Sequence, residues 1–468
     1  MSYNDIIGQA LERARAFAVR GEDEAAKSAY VDVLHTDPSH FAALNELGAL
    51  ATASGHRSAA RTAYAQAVRH HPGNPVGHIN LGNLLLEEGD ALGAQPHYQI
   101  ALDLDPEFPE AHQGLARVLT ELGDAAADAH WRKGFAGHSI VTKPYRGTGS
   151  GIPLLLLVSA RNGNIRTQQW INDRRFAITA MYTEFYDPTQ PLPPHQLVVN
   201  AIGDADLCGE ALARAEALVG SVNAPVINQP ALVRATGRAE NARRLAAVPG
   251  VIAPKTILLS RAAIHDASGL NFPLLLRSPG FHTGRNFLHV ENRDALEDTI
   301  DVLPGEEVLA IEYLDARGPD GMARKYRVMF IDGVLYPLHL AISADWKVHY
   351  FTADMATNAA YRDEERRFLE DMPGVLGERA MAALMGISVM LGLDYAGVDF
   401  ALAPDGSVLV FEANATMVFR DAAGNPDGTA ANAYSSDPNT SHESLVRSGT
   451  DPIGPGRRGT VDPGPARG

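Results

Sequence analysis

The sequence is poor in cysteine, in lysine and in long apolar runs. Its single cysteine, Cys208, excludes an intramolecular disulfide, which is typical of proteins from a reducing cytosol. The apolar run Leu154–Val158 has the length of a strand, whereas a membrane-spanning helix needs about 20 apolar residues. The N-terminal segment is charged and has no apolar signal-peptide core. We therefore expect a soluble, cytoplasmic protein with no membrane partner.

Positive charge is outnumbered along the chain. The sequence holds 56 Asp and Glu against 40 Lys and Arg, which gives a formal net charge of −16. A net negative surface repels nucleic acid, so we expect no nucleic-acid partner, although a local basic pocket for phosphates stays compatible with this balance. A hydrophobic content of 45% is typical of globular chains, and 468 residues predict two to four domains.

A 34-residue repeat runs through the first third of the chain. Four classes of residue keep this step: Tyr30, Tyr64 and Tyr98; Pro38, Pro72 and Pro106; Gly21, Gly55, Gly89 and Gly123; and Leu47, Leu81 and Leu115. Residues 1–135 resemble a tetratricopeptide repeat array, which implies a solenoid of helical hairpins that bury their apolar faces by stacking. The pattern is compatible with a groove for a peptide or protein partner, and equally with a docking element that has no ligand of its own.

The pattern changes after a glycine-containing linker, residues 136–151. Short apolar strands alternate with helical stretches, which predicts a small α/β domain over residues 152–232 and a second α/β module over residues 233–423. Residues 424–468 are rich in Gly, Pro, Ser and Asp. They have too few large apolar side chains to form a core, so we expect a disordered tail.

The stretch Val410–Thr416, VFEANAT, ends an apolar strand with two polar residues. In a regular strand Glu412 and Asn414 lie on the same face, and Val410 lies on that face ahead of them. A carboxylate and an amide buried together are costly unless a charged group meets them. The question is therefore what these two side chains face.

A hairpin with the preceding strand supplies one answer. If Pro404–Ser407 forms the turn, directly opposed residues share a face with Cβ atoms about 5 Å apart. The register then pairs Ala403 with Val408, Leu402 with Leu409, and Asp399 with Glu412.

We expect Asp399, Glu412 and Asn414 to converge on one face of this hairpin. Two carboxylates at such a distance repel unless one is protonated or a cation lies between them. All-oxygen ligands suit Mg²⁺, with Mn²⁺ as a possible substitute. The alternative is a pair of acids on a solvated face, which the flanking Phe400 and Phe411 disfavour.

Residues 152–420 resemble the ATP-grasp superfamily, and are most similar to its peptide-ligase-like members such as glutathione synthetase and ribosomal-protein glutamate ligases. Five stretches carry the resemblance in the order of the family: RAENARRLAAVPGVIAPKT, FPLLLRSPGFHTG, VLAIEYL, KYRVMFIDG, and the pair VDFAL and VFEANAT. The resemblance implies a fold in which the solenoid is followed by an α/β plus α+β ATP-grasp module.

The same resemblance implies a role for each matching position. Asp399, Glu412 and Asn414 would hold Mg²⁺ against the phosphates of ATP, and Arg327 would neutralise the transferred phosphate as the catalytic cation. The expected ATP-binding positions are Arg238, Arg277, Gly280, Gly284, Glu312, Tyr313, Leu314 and Asp315. Arg238 and Arg277 stand where the family has lysines, which preserves the charge but changes geometry and hydration.

The implied activity is a Mg²⁺- and ATP-dependent carboxylate–amine ligase. A substrate carboxylate attacks the γ-phosphate of ATP to give an acylphosphate and ADP, and an amine of an amino acid or peptide then forms the amide bond. The repeats would deliver a substrate or a protein partner. A repeat-based adaptor with a nucleotide-binding but inactive grasp module is the competing hypothesis, and a kinase using the same grasp stays open. His339, Trp346, Lys347 and His349 are further candidates for the substrate side.

Overall fold

The computed structural model describes residues 3–264, 267, 269–279, 286–348, 353 and 355–417. It divides the chain into two units, Met1–Ser139 and Ile140–Gly468. Gly280, Gly284 and His349, together with the predicted tail 424–468, lie outside the described residues.

The N-terminal unit is a series of helical hairpins. Its helices are α1 (Tyr3–Arg20), α2 (Asp23–Thr36), α3 (Phe41–Ala53), α4 (Arg57–His70), α5 (Pro75–Glu87), α6 (Ala91–Leu104), α7 (Pro109–Glu121) and α8 (Ala127–Phe135). Consecutive helices pack as pairs, and each pair packs on the next. The predicted helical-hairpin solenoid is thus confirmed.

Two of the repeated residue classes explain the packing. The tyrosines lie on the second helix of each hairpin, and Tyr64 and Tyr98 are buried. Each ring fits over a glycine of the preceding helix: a Cβ added to Gly48 would lie 2.5 Å from Cε1 of Tyr64. The repeated Gly55 joins two helices with a φ of +78°, a conformation that glycine adopts without steric cost.

The second unit begins with a mixed sheet. Its strands are β1 (Ile140–Thr142), β2 (Ile152–Val158), β3 (Phe176–Tyr182), β4 (Leu197–Asn200) and β5 (Val226–Ile227), and helix α9 (Gly209–Val219) follows β4. The order is β1-β3-β2-β4-β5, with β1 antiparallel and the others parallel. Strand β1 lies within the predicted linker 136–151, and β3 was not predicted from the sequence.

A second sheet follows two helices, α10 (Pro230–Arg234) and α11 (Arg238–Leu245). The next elements are β6 (Val251–Ile252), β7 (Thr256–Ser260), α12 (Arg261–Ile264), β8 (Leu274–Arg277), β9 (Phe287–Val290), α13 (Asp294–Asp301) and β10 (Glu307–Glu312). The antiparallel sheet has the order β7-β10-β8-β9. Its core is small and separate, and includes Leu276, Leu296 and Val308.

The third sheet completes the unit. Its elements are β11 (Ala323–Ile331), β12 (Val334–Ser343), α14 (Ala359–Glu370), α15 (Met372–Leu391), β13 (Tyr395–Leu402) and β14 (Val408–Asn414). The order is β12-β11-β13-β14-β6, in which only β14 and β6 pair in parallel. The predicted class, a solenoid followed by a mixed α/β region, is therefore confirmed.

In the described part of the chain one helix, α15, is long and apolar enough to cross a membrane when it is judged by length and composition alone. Ala380, Leu384 and Ile387 on this helix are buried in the core of the α/β unit. Core helices of water-soluble proteins meet the same test.

Candidate functional site

The third sheet has one apolar face and one charged face. On the apolar face Tyr326 packs against Phe400 of the neighbouring strand and Phe368 of α14, with ring centroids 5.4 and 5.0 Å away. Because strand residues alternate between faces, Arg327 and Asp399, which follow and precede these aromatic residues, lie on the opposite face. The sequence therefore places charge on the face that α14 leaves open.

A β-bulge in β14 turns Glu412 toward this charged face. Val410 pairs with Phe400 and Glu412 pairs with Asp399, so Phe411 is the extra residue. Val410 and Glu412 thus lie on opposite faces, although they are two positions apart in the sequence. The expectation that they share a face is wrong, because it assumed a regular strand.

The predicted register of the β13–β14 hairpin is correct at Asp399 and Glu412 and wrong near the turn. Leu402 pairs with Val408 and not with Leu409, and Ala403 closes the turn by donating its N–H to the carbonyl of Ser407. Near the turn the observed register is offset by one residue from the predicted one, and the extra residue at the bulge cancels this offset. The predicted pairing of Asp399 with Glu412 is therefore confirmed.

Four neighbouring strands each contribute one ionisable residue to a single row. His339 of β12 pairs with Arg327 of β11, Arg327 pairs with Asp399 of β13, and Asp399 pairs with Glu412 of β14. A second bulge lies beside Arg327 in the β11–β12 pair. Bulges of this kind re-aim side chains next to functional sites. We call His339, Arg327, Asp399 and Glu412 the charged row.

Asp399 is the centre of the charged row. Its carboxylate accepts hydrogen bonds from Nε and Nη2 of Arg327 at 2.5 and 2.7 Å, and Nζ of Lys325 lies 3.3 Å away. Burial opposes its ionisation, but the charges of Arg327 and Lys325 outweigh burial, so the pKa of Asp399 lies well below its usual value. Asp399 is therefore a carboxylate at neutral pH.

Glu412 is held by a different cation. Its Oε1 accepts hydrogen bonds from Nη2 of Arg238 and from Nδ2 of Asn414, both at 2.9 Å. Arg238 also donates Nη1 to Asp206 at 2.7 Å, so it bridges two carboxylates. The Nε of Arg238 is buried and has no hydrogen-bond partner among the described residues. This donor is free to meet a further acceptor.

The first sheet of the unit supplies Asp206 from the loop that follows β4. This loop packs directly behind the end of β14, because a Cβ on Gly203 would lie 2.8 Å from Cγ2 of Thr416. The carboxyl ends of parallel strands are where α/β sheets place their ligand-binding loops. Asp206 was not predicted as a site residue.

Arg277 at the end of β8 links the charged row to a group of aromatic rings. Burial lowers its pKa first, and the nearby charge of Arg238 lowers it further. Its guanidinium lies 5.5 Å from the ring centroid of Phe287. Two buried arginines close together are costly unless an anion compensates them.

The aromatic cluster consists of Phe287, His289, Tyr313 and Trp346. His289 lies 4.8 Å from Tyr313 and 5.4 Å from Trp346 between ring centroids, and Phe287 lies 5.4 Å from Trp346. Nε2 of His289 is buried and has no hydrogen-bond partner in the part of the chain that the structure describes. The cluster offers ring surfaces and one free polar atom.

The predicted segment Glu312–Asp315 runs along this cluster. Tyr313 belongs to it, and Leu314 is half-buried. Glu312 accepts a hydrogen bond from the backbone N–H of Lys255 at 3.0 Å, while Asp315 pairs with Arg317 at 2.7 Å on the exposed side. Both carboxylates thus have protein partners.

The predicted metal ligands fit a hard divalent cation through their carboxylates. Asp399 and Glu412 lie opposite each other, and carboxylate oxygens are the donors that Mg²⁺ prefers. The amide of Asn414 turns its nitrogen to Glu412, while Oδ1 accepts from the N–H and hydroxyl of Thr416. A metal bound beside Glu412 would require this amide to turn over. Across the described residues, no group of three or more His, Cys, Asp and Glu is placed to hold a metal ion.

The structure brings most predicted site residues together. Arg238, Arg327, Asp399, Glu412 and Asn414 form one network, with Arg277 next to it and the aromatic cluster beyond Arg277. Lys325 and Asp206 were missed. Lys325 has one signal in the sequence, its two-residue spacing from Arg327 in KYR, which places both on one strand face. Asp206 has no such signal.

Comparison with known proteins identifies the N-terminal part alone. A family model described as tetratricopeptide repeat matches residues 85–127. The chain is 24% identical to MamA from Desulfovibrio magneticus RS-1, covering 28% of this chain and 74% of that one, with a TM-score of 0.26. It is 20% identical to YrrB, described as a TPR protein with an unusual peptide-binding site, covering 30% and 77%, with a TM-score of 0.26.

A tetratricopeptide repeat protein from Parabacteroides merdae ATCC 43184 is 21% identical, covering 28% of this chain and 53% of that one, with a TM-score of 0.27. At these TM-scores the solved structures say nothing about function. No curated protein matches the chain. Residues of about 6–135 therefore form tetratricopeptide-type helical hairpins, of which residues 85–127 match the family model, and a repeat module of this type suggests protein or peptide binding.

Proposed function

Starting from a chain whose first part is a tetratricopeptide repeat module, we propose that the α/β unit is a Mg²⁺- and ATP-dependent carboxylate–amine ligase of the cytoplasm. One observation carries the proposal: the charged row continues through Arg238 and Arg277 to the aromatic cluster. Carboxylates, arginines and aromatic rings thus follow one another in the order in which the metal, phosphates and base of a nucleotide are arranged.

Each part of this arrangement has a physical counterpart in ATP. Aromatic rings stack on a base, and the free Nε2 of His289 suits one of its polar edges. Arg238 and Arg277 suit phosphate oxygens, which accept hydrogen bonds from guanidinium groups in pairs. Asp399 and Glu412 would hold Mg²⁺, which would supply positive charge beside the transferred phosphate.

The ion pairs of the site support an exchange of partners on binding. Asp399 and Glu412 are each held by arginine. A nucleotide with its cation brings both signs of charge, so each carboxylate and each arginine would exchange one protein partner for one ligand partner. The charges stay paired throughout, which keeps the desolvation cost low.

The chemistry requires no protein nucleophile. An oxygen of the substrate carboxylate attacks the γ-phosphorus, the bond from that phosphorus to the bridging oxygen breaks, and ADP leaves with the electron pair. The amine nitrogen then attacks the acyl carbon, phosphate leaves, and the nitrogen loses a proton. Arg327 would hold the transferred phosphate, while the site excludes water and orients the reactants.

An ADP-release screen of the full chain tests this proposal. Purified protein is offered ATP, Mg²⁺ and pairs of amino acids or short peptides, and the products are read by mass. We expect ADP release that needs both a carboxylate and an amine. The double variant Asp399→Asn, Glu412→Gln should lose turnover, while Glu370→Gln on the exposed face of α14 should keep it. ATP binding without ADP release under any pair would favour the adaptor hypothesis, and ADP release with a hydroxyl acceptor alone would favour the kinase.

A further inference from the structure

Arg117, on the first helix of the last repeat hairpin, has a buried hydrogen-bond donor without an acceptor. Its side chain is half-buried, and its Nε is buried with no hydrogen-bond partner among the described residues. Burial raises the pKa of Tyr98 and the charge of Arg117 opposes this rise, so the guanidinium lies near the Tyr98 hydroxyl. That hydroxyl already donates to Oδ1 of Asn83 at 2.7 Å. A buried donor that is left unpaired costs free energy.

The 34-residue step relates Arg117 to three earlier positions. Arg15, Ala49 and Asn83 occupy the same place on α1, α3 and α5 as Arg117 does on α7. Two of these four equivalent positions therefore hold an arginine, one in the first hairpin and one in the last. The first hairpin shows what an arginine at this position binds.

Arg15 binds a carboxylate of the next hairpin. Its Nε lies 2.9 Å from Oε2 of Glu46 and its Nη2 lies 2.5 Å from Oε1, so two hydrogen bonds join α1 to α3. The hydroxyl of Tyr30 donates to the same carboxylate at 3.1 Å, and Nη1 of Arg15 donates to Glu12 of its own helix. Paired bonds between arginine and carboxylate are strong and geometrically specific. The Nε that is unused in Arg117 is thus one of the two donors with which Arg15 holds Glu46.

Arg117 has no corresponding neighbour because the repeats end. Glu46 follows Arg15 by 31 residues and lies on the first helix of the following hairpin. One further step of 34 residues from Pro109, where α7 begins, reaches Lys143, but the N-terminal unit ends at Ser139. Within the described residues of this unit, no hairpin follows α7 and α8 to supply a carboxylate.

We propose that Arg117 binds a glutamate or aspartate side chain on a helix of a partner protein, which takes the place that a further hairpin would have. Charge complementarity selects this partner: a carboxylate accepts from the buried Nε–H and neutralises the guanidinium, whereas a neutral or basic segment does not. A helix presents its carboxylate as α3 presents Glu46 to Arg15. Binding at Arg117 is independent of the proposed ligase activity, which involves the second unit alone.

A peptide with the sequence of residues 39–54 is a suitable probe, because it contains α3 and Glu46 is its only acidic side chain. Its C-terminus is amidated, its N-terminus carries an uncharged fluorescent label, and its binding to the full chain is followed by anisotropy. We expect the Glu46→Gln peptide to bind about tenfold more weakly, since a charge-assisted pair is lost. The chain variant Arg117→Gln should bind both peptides alike. Arg132→Gln, the same charge change at an exposed position of α8, should keep the preference.

Three outcomes of this experiment overturn the proposal. The first is no binding of the peptide, and the second is equal binding of the two peptides to the unaltered chain. The third is a preference for the Glu46 peptide that survives Arg117→Gln and is lost in Arg15→Gln. It would show that the peptide replaces α3 at its own place in the first two hairpins.

Stability separates a binding role of Arg117 from a structural one. Arg117→Gln removes a buried donor without an acceptor, so the helical unfolding midpoint in urea should stay unchanged or rise. Arg15→Gln removes the hydrogen bonds to Glu46 and should lower the midpoint. An equal decrease in both variants would give Arg117 an internal partner and overturn the proposal. Sedimentation of the full chain tests the other occupant: self-association that Arg117→Gln abolishes would make it a second copy, which also overturns the proposal.

Discussion

Asp399 and Glu412 face each other across β13 and β14 because Phe411 is left out of the ladder. Without this bulge Glu412 would follow Val410 onto the apolar face, where a carboxylate has no cation to meet. With it, Val410 stays in the core and Glu412 reaches Arg238. The bulge therefore explains how VFEANAT can bury its first residue, Val410, in the core and still place Glu412 on the charged face.

Removal of Phe411 tests this account of the hairpin. Deleting the extra residue leaves a regular ladder in which Val410 still pairs with Phe400 and Glu412 with Asp399. Phe411 is also 37% exposed, so its loss removes less buried surface than the loss of a core residue. We expect the deletion variant to unfold cooperatively in urea with a modest loss of stability. Deleting Leu409 instead should disrupt folding, because that residue pairs with Ala401 inside the regular ladder. Equal effects of the two deletions would contradict the role of the bulge.

The buried ion pair of Arg327 and Asp399 predicts a strongly non-additive pair of substitutions. Arg327→Met leaves the buried carboxylate of Asp399 with its contact to Lys325, and Asp399→Asn leaves the cations of Lys325 and Arg327 without this carboxylate. Breaking a buried pair from one side costs about 3–5 kcal/mol, and the contact with Lys325 should reduce this for Arg327→Met. The double variant should be more stable than the sum of the single losses predicts. Additive free energies of unfolding would show that the two side chains do not interact.

The sequence could predict the repeats in full and the site in part. Tyrosine, glycine and proline recur at a fixed step in the repeats, so each position is signalled several times. Asp399 and Glu412 could be paired because a strand has only two faces. The bulge at Phe411 could not be predicted, since VLVFE has the composition of a regular strand.

Contacts between distant segments could not be predicted either. Arg238 and Glu412 are 174 residues apart, and nothing in their local sequence indicates that they meet. Asp206 reaches the site from a loop of another sheet. Strand β3 was also missed, because the Ala and Thr among its apolar residues interrupt the continuous apolar run that would indicate a buried strand.

Two glycines of the repeats predict opposite effects of the same substitution. A Cβ on Gly114 would overlap the ring of Tyr98, which is fully buried and donates its hydroxyl to Asn83. Gly8 in α1 has no atom within 4 Å of an added Cβ. We expect Gly114→Ala to destabilise the N-terminal unit by about 1–3 kcal/mol and Gly8→Ala to stabilise it by about 0.5–1 kcal/mol. Urea denaturation followed by far-UV circular dichroism measures both, and a neutral Gly114→Ala would contradict the tight packing.

Two histidine pairs predict that acid weakens the repeats. His78 donates Nε2–H to the carbonyl of Pro72, so its Nδ1 accepts from Nδ1 of His97 at 3.1 Å. His112 and His130 repeat this arrangement at 2.9 Å. Burial lowers the pKa of His97 and of His130, followed by the charge of the paired histidine and, for His130, that of Lys133.

A folded-state pKa below the unfolded value of about 6.5 gives a definite sign. The stability contributed by the histidine pairs is fully present above pH 6.5 and is lost as the pH falls through the lower folded-state values. The helical unfolding midpoint should therefore decrease from pH 7 to pH 5. His97→Gln should flatten part of this dependence, whereas His35→Gln at the end of α2 should not. An unchanged slope in His97→Gln would contradict the assignment.

Trp346 predicts an optical signal for nucleotide binding. Its ring lies 5.4 Å from both Phe287 and His289, in the cluster that we assign to the base. ATP with Mg²⁺ should change its fluorescence, because a stacked base alters the environment of the indole. Trp346→Leu should remove this change and weaken ATP binding about tenfold, since stacking on one ring contributes about 1–3 kcal/mol. Trp131→Phe in α8 removes an indole from the N-terminal unit and should leave ATP affinity unaltered. If Trp346→Leu binds ATP as tightly as the natural chain, the base must bind elsewhere, and the order of rings, arginines and carboxylates would lose its meaning.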